Sequence, residues 1–270
     1  MDPFASPSSD GLHHVGTLST ATAVSDAVSG LLQNALLWIA VMFTYMALIV
    51  VGVCTVFGWI VIMPLLVWGL QAVALEAVDG PARFNTLFGG WHDLGTTLAR
   101  IWGLLLLGGV AYAALAGPLL VLLLFPDIQQ AMDGAPFDQT SLTLKMACVG
   151  FILSFVHARF VLVMPLIVER GRPVLASITE SWQQTSGHWP KLIGLMLLGQ
   201  LLNLPPLVLN VGAAMLSDPA LPPDEALRNL PLLGTQLGGA TLSMFASVFM
   251  MMLFAAVFRQ LMGPAPQRAG

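Results

Sequence analysis

The sequence predicts an all-α integral membrane protein with six transmembrane helices, and three observations predict it. The chain of 270 residues is 57% hydrophobic and only 9% charged, with a mean hydropathy of +0.83. Soluble domains carry roughly a quarter charged residues, so these groups are too few to cover a globular surface. The apolar residues also come in long uninterrupted runs. Ala27–Leu75 holds no charged residue over 49 positions, and Ile101–Phe125, Leu192–Ser217 and Asn229–Phe258 are likewise charge-free. The third observation is a segment that recurs 91 residues apart: Gly80–Gly108 and Gly171–Gly199 share Gly, ten residues, Trp (Trp91, Trp182), eight residues, Arg100 or Lys191, and a Gly-Leu run.

A bilayer core takes about 20 residues of helix. The first run therefore supplies two spans and each of the others one, and Met146–Val168, interrupted by His157 and Arg159, supplies a further one. The runs lack the alternation of barrel strands, and backbone in lipid must satisfy itself, so they are read as helices. Predicted spans are 31–53, 57–78, 101–125, 144–168, 189–216 and 232–262, forming one transmembrane domain over 26–262. Residues 1–25, rich in Ser, Thr, Asp and Gly, read as a flexible tail, and 263–270 as a short C-terminal one. No Lys or Arg occurs in the first 30 residues, so no cleavable signal peptide is expected.

Turn residues punctuate the runs. Gly52 and Gly58 bracket the first turn, Pro126 to Pro136 mark the third loop, and Asp218 to Pro231 the fifth. Pro205-Pro206 should kink the fifth span or end it early. Arg83, Arg100, Arg170, Arg172, Lys191, Arg259 and Arg268 fall on the side shared by both termini, against Lys145 and Arg228 on the other. The positive-inside rule then places both termini on the cytoplasmic side.

Before each repeated span lies a mixed polar-apolar stretch. Val174, Leu175, Ile178 and Trp182 share one helical face, and Phe84, Leu87, Phe88, Trp91 and Leu98 form a similar stripe weakened by Gly89, Gly90 and Gly95. These read as amphipathic helices lying along the headgroups on the cytoplasmic side, with Trp91 and Trp182 as interfacial anchors. Val24, Val28, Leu31, Leu32 and Ala35 suggest a fainter third copy, so the unit is an interfacial helix followed by a transmembrane hairpin. Copies two spans apart keep one orientation, with any pseudo-symmetry axis along the membrane normal.

The stretch from Arg159 to Leu198, with Arg159, Glu169, Gly171, Ser177, Ser181-Trp182 and Gly187, resembles a bacterial inner-membrane family. That family includes the membrane domain of glycerophosphoryl diester phosphodiesterases and stand-alone proteins of unknown function. Pro64 to Trp91, with Gly80, Phe84, Leu87-Phe88 and Gly90, is similar to its first half. The resemblance implies a six-helix membrane fold. It implies no active site, because the phosphodiesterase barrel with its His and carboxylate pairs is absent.

For chemistry the sequence offers an intramembrane polar set and no catalytic residues. A charge at membrane depth is costly unless paired or snorkelling, which singles out Arg159; its expected partner is Glu76, and its functional role would be an anionic headgroup or solute. His157 reads as an interhelical donor. Gln200, Asn203, Asn210 and Gln71 either line a polar path or bond between helices. Met250-Met251-Met252 reads as packing. Cys54 and Cys148 have no metal-ligand spacing and read as small buried hydrophobes, with a disulfide as the alternative. His13-His14 is too isolated for a metal, and no Ser-His-Asp set, Walker loop or HExxH occurs. No cofactor is expected. A net charge of −4 without basic clusters excludes nucleic acid; expected partners are membrane lipids and a membrane protein or second copy. The sequence thus leads to a non-catalytic scaffold or lipid-associated protein, with a transporter or channel for an anionic solute using Arg159 as the alternative.

Overall fold

The computed structural model describes residues 16–132, 139–209 and 230–263, and every element among them is helical. In chain order these are α1 (Thr20–Gln33), α2 (Ala35–Cys54), α3 (Val56–Asp79), a 3-10 helix η1 (Phe84–Trp91), α4 (Leu94–Met132), α5 (Gln139–Phe160), α6 (Val163–Arg170), α7 (Val174–Thr185), α8 (Trp189–Leu202) and α9 (Leu230–Met262). Five helical stretches are long and apolar enough to cross a membrane, or six if the bent pair α1–α2 counts as one. The chain is thus a multi-pass helical membrane protein. Its surface agrees: Leu105, Leu106, Val110, Val121 and Leu122 on α4 face outward, and only 6% of that span's most apolar window is buried. Water would not tolerate so continuous an apolar patch, whereas acyl chains solvate it.

The first span differs from 31–53 because Asn34 breaks the helix, and α1 meets α2 at 79°. Ser19 caps α1, its hydroxyl accepting from the Thr22 N–H at 3.3 Å. Asn34, buried at the bend, donates to the carbonyls of Gly30 (2.9 Å) and Gly80 (3.2 Å) and accepts from the Ala82 N–H (2.8 Å). It therefore fixes the bend to the turn after α3. The first turn is closed as the glycines suggest: Thr55 accepts from the Gly58 N–H at 3.1 Å, and a Cβ at Gly58 would lie 2.8 Å from the Gly52 Cα.

Other boundaries move for local reasons. Pro118 and Pro126 are carried inside α4, which runs on to Met132 where a loop was expected from residue 126. The fourth span is α5 and α6, interrupted at Val161–Leu162. The fifth stops at Asn203 and resumes over 204–209, the break that Pro205-Pro206 demands. The tail is not loose up to residue 25: Leu18 is fully buried, the Ser19 N–H donates to Gln260 Oε1 at 2.9 Å, and Lys191 Nζ donates to the Leu18 carbonyl at 2.6 Å. Both described termini therefore meet at one end of the bundle, here called the basal end. Residues 1–15 with His13-His14, residues 210–216 with Asn210, and the fifth loop up to residue 229 lie outside the described residues.

The main core lies toward the basal end, where α1, α3, α6 and α9 bury Ala27, Val73, Leu166, Met252 and Phe258. Small residues let the short basal helices sit close. Ala23, Ala27 and Gly30 form the buried face of α1, and Ser177, Ser181 and Thr185 that of α7. A Cβ at Gly69 of α3 would stand 2.0 Å from the Leu87 carbonyl oxygen of η1. The positive-φ glycines among the described residues are Gly80, Gly171 and Gly263 (φ 153°, 61° and 79°), at the ends of α3, α6 and α9.

Candidate functional site

Two regions concentrate polar groups. At the basal end they form a network of ion pairs between helix ends. Arg259 of α9 grips Asp79 of α3 through Nε (2.7 Å) and Nη2 (2.6 Å). Its Nη1 stands 2.5 Å from Glu169 Oε2 of α6, an ion pair off the hydrogen-bond direction. Arg170 donates to the Met262 carbonyl at 2.8 Å and lies 3.6 Å from Glu180 of α7, which Arg172 approaches at 3.7 Å. Arg170 and Arg259 both stack on the Phe258 ring. Three spans and α7 are thereby clamped at one level.

Glu76 does not pair with Arg159. Its carboxylate takes Arg83 Nε at 2.8 Å and the Thr86 hydroxyl, both from the segment around η1. Arg159 instead lies over the Trp182 ring, 5.0 Å from its centroid, with Nη1 enclosed and without a hydrogen-bond partner. The neighbouring Ser181 explains the arrangement. Its hydroxyl donates to the Arg159 carbonyl at 2.7 Å and accepts from the Leu162 N–H at 3.3 Å, satisfying the backbone groups freed by the α5–α6 break. The Ser-Trp pair is thus a clasp holding α7 to the broken fourth span.

Large apolar side chains stand outward on the basal helices, beside polar ones such as Ser25, Ser29, Thr179 and Gln183. Leu175 is 67% exposed, and Trp182, Trp91 and Leu32 are exposed as well. The expected stripe on α7 is thus split: Leu175 and Trp182 are turned outward, Val174 and Ile178 pack against Ile101, Val163 and Ile167, and the hydroxyls of Ser177, Ser181 and Thr185 pack inward. The first-copy stretch is a 3-10 helix where an α-helix was expected. Gly89 and Gly90 lie flat on Trp68, where a Cβ would come within 2.8 and 3.1 Å of the ring.

The second region is a cavity of about 450 Å³ between α4, α5, α8 and α9. Tyr112, Ser154, His157, Gln200, Asn203 and Ser247 supply its polar wall, and Met196, Met250, Met251 and Phe254 much of the apolar one. At 1.5 Å per residue, Gln200 and Ser247 lie roughly 15–25 Å from the basal ends of α8 and α9, near the middle of those spans, and His157 meets them from the last turn of α5, just before the α5–α6 break. The Tyr112 hydroxyl and His157 Nδ1 are 2.5 Å apart. Gln200 Nε2 donates to Ser154 Oγ (3.1 Å), which donates to the Gly150 carbonyl (2.9 Å); Asn203 Nδ2 donates to the Gly199 carbonyl (2.9 Å) and Ser247 to that of Ser243 (2.8 Å). Among the described residues no charged side chain lines the cavity.

The structure brings His157, Gln200 and Asn203 together and sets Glu76 and Arg159 apart, each in a different basal contact. Gln71 is buried in α3 with its Nε2 unpartnered, away from the cavity lining. Cys148 is exposed and free, not a buried hydrophobe, and the Cys54 side chain lies outside the described ones. Sequence reading missed Tyr112, Ser154 and Ser247, whose hydroxyls carry no signal in a single sequence. It also missed the Asp79–Arg259–Glu169 clamp, although those residues end successive spans on one side. Among the described residues no group of three or more His, Cys, Asp or Glu side chains could hold a metal ion. No family model, curated protein or solved structure matches the chain.

Proposed function

We propose that this chain is a non-catalytic multi-pass protein of a bacterial inner membrane. In this reading it acts as a lipid-associated scaffold, with both termini and the short basal helices on the cytoplasmic side. The observation that carries the reading is the arrangement of the basal helices: small residues face the bundle while Leu32, Leu175, Trp91 and Trp182 face outward. Such helices lie in the headgroup region with their large apolar side chains in the acyl layer. Arg83, Arg100, Arg172 and Lys191 at the same end suit an anionic leaflet surface. Asn34, Ser181 and the Arg259 clamp hold the helices in place, as a docking platform for lipid or a membrane partner requires.

The resemblance to the phosphodiesterase membrane domain supports the same architecture. A unit of basal helix plus hairpin, repeated three times, is supported by Gly80, Gly171 and Gly263 closing each unit with a positive φ. The alternative, passage of an anionic solute by way of Arg159, draws support from the mid-span cavity but loses its cation, because Arg159 is stacked on Trp182 outside that cavity.

The test is native mass spectrometry of the full chain released from nanodiscs of mixed phosphatidylcholine and phosphatidylglycerol. Retained phosphatidylglycerol should exceed its share of the nanodisc and should fall in the Arg83→Gln/Arg172→Gln variant. Retention in proportion to supply, unchanged by the variant, would contradict the reading.

A further inference from the structure

We propose that the mid-span cavity is a binding site for the head of an uncharged, hydroxyl-bearing amphiphile that enters sideways from the bilayer. The inference begins with an energetic problem. His157, Gln200, Asn203 and Ser247 are exposed at the surface of the bundle, at a depth where the surroundings are acyl chains. Each makes one hydrogen bond within the protein but keeps further capacity that hydrocarbon leaves unused at a cost, so four on one wall call for a polar occupant.

The hydrogen-bond inventory defines that occupant. The Gln200 amide nitrogen is committed to Ser154 Oγ, whose own proton goes to the Gly150 carbonyl, and the Asn203 amide nitrogen is committed to the Gly199 carbonyl. This orientation leaves Gln200 Oε1 and Asn203 Oδ1 as open acceptors. Ser247 has given its proton to the Ser243 carbonyl and offers lone pairs. The Tyr112 hydroxyl and His157 Nδ1 share one hydrogen bond, which leaves His157 Nε2 open, a donor in the tautomer in which the Tyr112 hydroxyl donates. The wall therefore presents several acceptors and one donor, the complement of a head carrying more than one hydroxyl, since each hydroxyl donates a single hydrogen bond.

Charge and size narrow the class. Among the described residues the lining holds neither a carboxylate nor a cationic side chain, so a phosphate, carboxylate or ammonium head would be desolvated without compensation from them. A volume of about 450 Å³ takes a small head and the first few methylenes, which Met250, Met251 and Phe254 would contact, and leaves the rest of the chain in the bilayer. The inference does not rest on the basal helices, so it and the scaffold reading can fail separately.

The experiment is photolabelling of the full chain in phosphatidylcholine nanodiscs. The probes are 1-O-hexadecylglycerol carrying a diazirine close to its hydroxyls and the matching hexadecanoate and hexadecyltrimethylammonium. The alcohol should label residues 150–157, 199–203 or 247–254 in preference to the two charged probes. Gln200→Met/Asn203→Leu should lower that labelling roughly tenfold, the worth of two hydrogen bonds, with the monodisperse elution unchanged. If that variant does not fold, Ser247→Ala should still lower labelling about threefold. Equal labelling by all three probes, labelling indifferent to the variants, or a second copy cross-linked through Asn203→Cys in place of the probe would overturn the proposal.

Discussion

Arg259→Ala is expected to be far more damaging than any other removal of a basal cation, and the geometry says by how much. The Arg259 and Glu169 side chains are 11% and 12% exposed, so removing the guanidinium leaves a carboxylate enclosed without a counter-charge. Breaking a buried pair from one side costs about 3–5 kcal/mol. The Asp79 arm adds little, since Asp79 is 40% exposed and exposed pairs are worth about 0–1 kcal/mol. Arg83, 82% exposed opposite Glu76, sets the comparison at that same low value. At roughly 2–4 °C per kcal/mol for a chain of this size, Arg259→Ala should lower the melting temperature by roughly 6–20 °C and Arg83→Ala by less than about 4 °C. The assay is thermal unfolding of the detergent-purified protein followed by loss of the monodisperse elution peak. Arg259→Met/Glu169→Leu should recover most of the loss, because the enclosed charge is gone with its partner. Equal shifts for Arg259→Ala and Arg83→Ala, or no recovery in the double variant, would refute the clamp.

Ser181→Ala should cost about 1–3 kcal/mol by orphaning the Leu162 N–H and the Arg159 carbonyl, and hydrogen exchange should rise at residues 160–163 while α9 is unaffected. Gly69→Ala should displace η1 from α3 and lower folded yield, because its Cβ would overlap the Leu87 carbonyl. Gly109→Ala, with open space around its Cβ, should be neutral or slightly stabilising by helix propensity, as thermal unfolding of the two variants would show.

The spans were legible in the sequence because hydrocarbon imposes one rule on every residue of a crossing helix. The predicted ends at 78, 168 and 262 lie within two residues of where α3, α6 and α9 stop, at Asp79, Arg170 and Met262. The amphipathic stretches were legible as apolar stripes, but which face meets the protein was not. The stripe with Leu175 and Trp182 reads as lying along the headgroups, but the face that meets the protein carries small residues that permit close approach, Ser177, Ser181 and Thr185, which no count of hydrophobes singles out. The partner of Arg159 was misread for a related reason. Opposite charge suggested Glu76, but Arg83 and Thr86 follow Glu76 closely in the chain and reach it first, and the Trp182 ring is the nearer surface for Arg159. The cavity was half legible. His157, Gln200 and Asn203 stand out in apolar runs, while Tyr112 and Ser154 join them only through the meeting of α4, α5 and α8.

The depth of α7 in the bilayer tests the account most directly. Single nitroxide labels at Leu175→Cys and Gln183→Cys, in a background with Cys54 and Cys148 replaced by Ala, would report collisions with oxygen and with a water-soluble nickel chelate in reconstituted vesicles. Oxygen-dominated relaxation is expected at residue 175 and nickel-dominated relaxation at residue 183, which lies about 80° round the helix from it, toward the polar edge of a helix in the headgroup plane. Nickel-dominated relaxation at both positions would place α7 in water and contradict it.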